Sequence, residues 1–227
     1  MTTLVKAARA YNGDSADRAN SDTTGGPWRS DVNGQARIRS NRIEFKTMPG
    51  NPGRAGTWMS ADGLLTDSYE VRAQLIAPSE QGSATDNFVC ITMAVPDVIG
   101  SAGSLITYFV ASTGNGTAIY TITGTPPANG ISTGDGSAGR VRRTTATGNV
   151  TATSLIALRR VMYSATQSNF TCYLNGSLLA TWTDSSGLVP TGPTNRRFGF
   201  VVEGNHPFAN QEFRAPGIDW IEAYDLS

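Results

Sequence analysis

The run Asn169-Phe170-Thr171-Cys172-Tyr173-Leu174-Asn175-Gly176-Ser177-Leu178-Leu179-Ala180-Thr181-Trp182-Thr183-Asp184 reads as two β-strands joined by a tight turn. Asn-Gly between runs of β-branched and aromatic residues is the mark of a two-residue type I′ hairpin turn, whose central positions both need positive φ. Such a turn sets the register. Phe170, Cys172 and Leu174 then share one face of the first strand, and Leu178, Ala180 and Trp182 alternate along the second.

Working outward, the same period recurs. Arg42-Ile43-Glu44-Phe45-Lys46 and Tyr69-Glu70-Val71-Arg72-Ala73-Gln74-Leu75 alternate apolar with polar, predicting strands with one face on a core and one in water. Residues 87–95 and 105–112 are apolar on both faces, as expected for central strands or for strands whose outer face meets a neighbour. Asn115-Gly116 predicts a second hairpin leading into 117–123. Further strands are predicted at 140–145, 154–163, 197–202 and 218–224, giving about eleven or twelve strands in all. Nothing in the pattern alternates helix with strand, so the expected fold is all-β, a two-sheet sandwich formed by 1–227 as a single domain. Residues 1–35, rich in Asp, Asn, Ser and Gly, are expected to be mostly irregular, and the Gly/Pro-rich segment 124–139 to be a long exposed loop.

Bulk properties narrow the function classes. The 227 residues carry 18 basic and 18 acidic side chains, so a nucleic-acid partner would need a local basic patch, and none is expected. The Arg pairs at 142–143, 159–160 and 196–197 are two residues long, and neighbours on a strand point to opposite faces; they read as solvated or ion-paired. No run is long enough to insert in a membrane, and the N-terminus lacks the apolar core of a secretory signal, which predicts no export by that route. Cys90 and Cys172 read as buried free thiols.

Three segments together resemble the concanavalin A-like (laminin-G-like) jelly roll: the Tyr173-Leu174-Asn175-Gly176 hairpin, the strand Arg196-Arg197-Phe198-Gly199-Phe200, and the closing Pro216-Gly217-Ile218-Asp219-Trp220-Ile221-Glu222-Ala223-Tyr224-Asp225-Leu226. The resemblance implies a final strand that pairs back with the N-terminal region. Asp17-Arg18-Ala19-Asn20-Ser21-Asp22, then Trp28, then Ile38-Arg39-Ser40-Asn41-Arg42 looks like the opening of such domains in tailed-phage virion proteins, especially minor tail proteins of phages of actinobacteria. This chain has Gly25-Gly26-Pro27 where that opening carries Leu-Gly before the Trp. Covering about Ala10 to Leu226, the resemblance implies a non-enzymatic structural protein of the virion, a minor tail protein serving assembly and surface display. Its implied partners are other virion proteins and further copies of itself, with the virion as its location. The alternatives are a module that binds host cell-wall glycans and a capsid decoration protein of the same fold.

The residues themselves offer little chemistry. Glycoside hydrolysis needs paired carboxylates across one face, and Asp219 and Glu222, three apart on a strand, point opposite ways. His206, the sole histidine, lies in the expected loop Glu203–Phe208 with no nucleophile elbow, and one His with two Cys lacks zinc spacing, so no catalytic residue, cofactor or metal is expected. Asp14, Asp17, Asp22 and Asp31 supply hard oxygens of the kind calcium takes, but they read as turn formers. Glycan binding combines an aromatic platform with loop donors and acceptors. Trp58, Asn205, His206 and Phe208 are the candidates, with Trp28 as a further aromatic beside loop residues, while Trp182 and Trp220 are expected in the core.

Overall fold

The computed structural model describes residues 4–6, 16, 19–21, 28–30, 36–45, 58–60, 63–77, 88–96, 104–110, 117–122, 140–146, 151–202, 204–208, 211–214 and 216–226, some of the strand residues by backbone alone. In chain order the strands are β1 (Leu4–Lys6), β2 (Trp28–Ser30), β3 (Ala36–Ile38), β4 (Ile43–Phe45), β5 (Trp58–Ser60), β6 (Tyr69–Ile76), β7 (Phe88–Val95), β8 (Ser104–Val110) and β9 (Thr117–Ile122). There follow β10 (Arg140–Ala146), β11 (Leu155–Met162), β12 (Ser168–Leu174), β13 (Ser177–Asp184), β14 (Arg197–Val202), β15 (Gly204–Phe208), β16 (Gln211–Arg214) and β17 (Gly217–Leu226). Every pairing among them is antiparallel.

One sheet runs β13-β12-β11-β6-β17-β4-β3 with β1 added to β17, and the other runs β10-β9-β8-β7-β14-β5-β2. Two stacked antiparallel sheets are the predicted sandwich, with β6 and β11 packing across the interior on β7. The closing strand does pair back with the N-terminal region, Leu4 lying opposite Leu226. Short strands β1 and β2 therefore arise within 1–35, a segment expected to be mostly irregular; pairing with β17 and β5 supplies what three residues alone cannot. The expected loop 124–139 and the Asn115-Gly116 turn lie outside the described residues.

The alternation of β6 organises the interior. Tyr69, Val71, Ala73 and Leu75 are buried in the core, which leaves Glu70, Arg72 and Gln74 on the outer face. β7, at the centre of the other sheet, is buried from Val89 through Val95, as its two apolar faces predict. A bulge opposite β14 puts Ala94 at φ 55, a left-handed conformation that L-residues seldom adopt. The Tyr69 hydroxyl reaches across the sandwich and accepts the Ala94 N–H at 2.6 Å, so the strained residue is pinned by a bond between the sheets. Burial pushes the Tyr69 phenol well above its usual range, and it stays neutral.

The Asn175-Gly176 hairpin forms as read, with φ of 50 and 81 at its two central residues and Leu174 opposite Ser177. Phe170, Cys172 and Leu174 are buried together. The second strand departs from simple alternation. Cys172 pairs with Ala180 but Tyr173 with Leu178, so Leu179 is an extra residue. Leu179 packs against the core with Trp182, and Leu178, expected to share a face with Ala180 and Trp182, is 62% exposed. A second bulge sits at Asp219, where Ile218 opposes Leu75 and Trp220 opposes Gln74. It transfers Trp220 from the expected core face to the outer face beside Gln74, half-buried, and removes the simple parity by which Asp219 and Glu222 were assigned to opposite faces.

Trp28 belongs to the core instead of a platform. It is 7% exposed and meets Phe198 and Phe200 edge-on, with centroids 5.8 and 4.9 Å away, because β2 is drawn onto the edge of the sheet by β5. Arg160 also departs from the reading of solvated or ion-paired arginines. Facing inward from β11, it is fully buried, donates to the carbonyls of Val189 and Pro190 at 3.2 and 3.0 Å, and lies over the Phe170 ring. Cys90 and Cys172 are buried thiols that form no disulfide, as expected.

Tyr69→Phe keeps the ring and deletes the acceptor of a buried N–H, an omission that costs about 1–3 kcal/mol. A Tm lower by roughly 2–12 °C is expected for a chain of this size. An unchanged Tm by calorimetry would show that the cross-sheet bond does not hold the Ala94 bulge.

Candidate functional site

The outer face of the β13-to-β3 sheet carries a groove of about 240 Å³ lined by Glu70, Arg72, Leu155, Ala157, Arg159, Tyr173 and Gly176. Period-two alternation places these side chains there. Arg72 opposes Ala157 across β6 and β11, Ala157 opposes Tyr173 across β11 and β12, and Arg159 opposes Glu70. The methyl of Ala157, between two large side chains, leaves the space that forms the groove. The hairpin closes one end. Asn175 accepts the Leu155 N–H on its side-chain oxygen at 2.9 Å and donates its own N–H to the Leu155 carbonyl at 2.8 Å, fixing the turn to the start of β11.

Glu70 is the electrostatic centre. Its carboxylate is almost wholly buried, and a buried charge must be paired. One oxygen accepts from Arg72 Nε and the other from Arg159 Nε, the second at 2.5 Å. The two guanidiniums are held again from outside by aromatic rings. Arg159 lies 5.1 Å from the Tyr173 centroid and Arg72 5.5 Å from that of Tyr224. The result is a ladder, Tyr173, Arg159, Glu70, Arg72, Tyr224, spanning four adjacent strands, the outermost two about 14 Å apart at the usual strand spacing. Burial, then the hydrogen bond and charge of Glu222, push the Tyr224 phenol up to about 12, while Arg72 works the other way. The ring is neutral at physiological pH.

A carboxylate engaged by two cations serves to accept and orient. The set is therefore suited to holding a ligand. Among the described residues no group of three or more His, Cys, Asp or Glu side chains gathers to hold a metal. Asp14, Asp17, Asp22 and Asp31 lie outside the described residues.

The sequence-predicted candidates sit elsewhere. Trp58 is on β5 and pairs with Phe200 and Ser30. Asn205, His206 and Phe208 are on β15, which pairs antiparallel with β16, so from Gly204 to Phe208 the segment expected to be a loop is a locally paired strand. The side chains of all four lie outside the described residues. Conversely, Glu70, Arg72, Arg159 and Tyr173 were not singled out. The signal lay in the polar members of Tyr69–Leu75 and of 154–163, the outward halves of two strands whose adjacency only the fold reveals.

No protein-family model matches the sequence, and no curated protein does. Solved structures do resemble it. The metal-free carbohydrate recognition domain of Emp46p superposes with a TM-score of 0.60 at 13% identity over 97% of this chain and 99% of that one. The corresponding domain of Emp47p gives 0.59 at 12% identity over 97% of both chains. The exoplasmic/lumenal domain of VIP36, in a form bound to Ca2+ and Man3GlcNAc, gives 0.54 at 13% identity over 98% and 91%. The fold is thus the concanavalin A-like, legume-lectin-like β-sandwich expected from the sequence.

Replacing Glu70 leaves two guanidiniums side by side with no anion between them, whereas replacing Arg72 leaves Glu70 its second partner. Glu70→Gln is expected to cost about 3 kcal/mol, the scale of a broken buried pair, and Arg72→Gln less than half of that. Equal losses in urea unfolding would show that the arginines do not depend on Glu70.

Proposed function

We propose that the chain is a non-catalytic carbohydrate-recognition domain that seats a sugar residue in the groove over Ala157. The observation that carries this reading is the convergence of an aromatic ring, two guanidiniums and an apolar floor in one open groove on three paired strands. A pyranose presents an apolar C–H face and a rim of hydroxyls. Tyr173 suits the face, and the polar rungs suit the rim. At about 240 Å³ the groove matches one sugar residue, with the rest of a glycan lying along the open sheet surface. Strands hold such a constellation more rigidly than loops do, which lowers the entropic cost of binding. The carbohydrate-binding character of the similar solved domains supports the same reading.

The setting we propose is the surface of a phage virion, where many copies contact glycans of the host envelope. This rests on the resemblance of the N-terminal segment, Asp17–Asp22, Trp28 and Ile38–Arg42, to tailed-phage virion proteins. Repetition would convert a weak single-site affinity into useful avidity.

Glycan-array screening followed by calorimetry on the leading ligand tests the groove. Tyr173→Ala should weaken binding at least about tenfold, or ~1.4 kcal/mol, the range of an aromatic anchor. Trp58→Ala should leave it unchanged; the reverse pattern would move the site to the other sheet.

A further inference from the structure

The donors and acceptors of the groove are unbalanced. Among the described residues Glu70 is its one carboxylate, and each of its oxygens already takes an arginine Nε–H. Arg72 and Arg159 spend only Nε on Glu70, and their remaining contacts are the faces of Tyr224 and Tyr173. The Nη amines of both guanidiniums therefore have no acceptor among the described residues. The two side chains are about one-third exposed, 30% and 36%, so these amines are reachable from solvent. The other lining side chains are Leu155, Ala157 and the Tyr173 phenol, with Gly176 contributing none. Glu222, opposite Arg72 on β17, is engaged with Tyr224 and does not line the groove.

A neutral sugar hydroxyl is both donor and acceptor and is best met by a mixed set. The described residues that line this groove offer donors in excess and a formal charge of +1, from two arginines and one glutamate. Planar guanidinium forks match the oxygens of a carboxylate or phosphate, which only accept. Arg72 and Arg159 come from adjacent strands and flank Ala157, whose small side chain leaves room for an anion between them.

Building on the carbohydrate-binding reading above, we propose that the groove selects saccharides bearing an anionic group, which Arg72 and Arg159 clamp above Ala157 while the sugar ring lies against Tyr173. The shared chemistry is an acceptor-only oxyanion, carried either as the carboxylate of a sugar acid or as a sugar phosphate.

Calorimetry on the full chain distinguishes the possibilities. The probes are oligogalacturonate against its neutral methyl ester, and glucose 6-phosphate against glucose. At least one anionic probe should bind tenfold or more tightly than its neutral counterpart at low ionic strength, with the advantage shrinking as salt rises. Which pair shows it identifies carboxylate or phosphate as the source. Arg159→Gln should erase most of the difference, and Arg159→Lys should restore only part, because a point charge lacks the fork. Should the single variants unfold, the triple Arg72→Gln/Glu70→Gln/Arg159→Gln removes every charge without stranding the carboxylate. In that background anionic and neutral probes should bind alike. If wild type binds anionic and neutral probes equally, with Tyr173→Ala abolishing both, the anion clamp is wrong and the glycan groove stands. If the triple variant keeps the anionic preference, the clamp is again wrong. If no array glycan and no probe binds wild type, both readings fall.

Discussion

The period of two along β6 governs both the stability of this sandwich and its chemistry. Strand geometry sends Tyr69 inward and Glu70 outward. Tyr69 crosses the sandwich and accepts the N–H of a residue held at positive φ, so the two sheets are joined by a directional bond as well as by apolar packing. Glu70, one residue on, gathers two guanidiniums on the opposite surface. Because β6 pairs with both β11 and β17 and packs on β7, a slip of one residue would exchange these roles, turning Glu70 and Arg72 into the apolar interior, away from their partners, and Tyr69, Val71 and Leu75 to the outer face. Such a slip would bury charge without partners, and this fixes the register of the sheet against its alternatives.

The same rule splits the pair Arg159-Arg160. Arg160 points inward and serves the fold, donating to the carbonyls of the segment after β13 and covering Phe170. Arg159 points outward to Glu70 and Tyr173. Two adjacent identical residues thus carry unrelated tasks, and no reading of local charge density would separate them. Asp184 completes the inner arrangement, accepting the N–H groups of Ser186, Leu188 and Val189 and so placing the carbonyl that Arg160 needs.

Much of this was legible from local signals. Asn175-Gly176 states its own turn chemistry, the strand at 69–75 announces itself by alternation, and those at 154–163, 197–202 and 218–224 by their β-branched and aromatic content. The bulges at Leu179 and Asp219 were not legible, because a bulge is a mismatch between two strands and neither sequence alone contains it. Each displaced one assignment, Leu178 to solvent and Trp220 to the outer face. The groove was hidden for a related reason. Glu70, Arg159 and Tyr173 are each an ordinary polar residue on an outward face, and they become a constellation only when β6, β11 and β12 are placed side by side. Attention to aromatic residues beside loops led instead to Trp28, which the core takes, and to Trp58 and the 205–208 segment in other sheets.

The burial of Glu70 bears on why such a groove exists at all. Withdrawing a carboxylate from water costs several kcal/mol, and two well-formed ion pairs do little more than offset that; an apolar residue of similar volume would serve stability as well. Stability alone therefore does not account for a glutamate at this position. What an apolar residue would not supply is orientation. A carboxylate that takes the Nε edge of each arginine directs the Nη edges away from itself, and the rings of Tyr173 and Tyr224 restrict the remaining rotation. Without Glu70 the two cations would repel and spread into solvent, and any ligand would have to bear the entropy of gathering them. With it, that cost is met during folding, and the outer face presents two fixed forks before a ligand arrives.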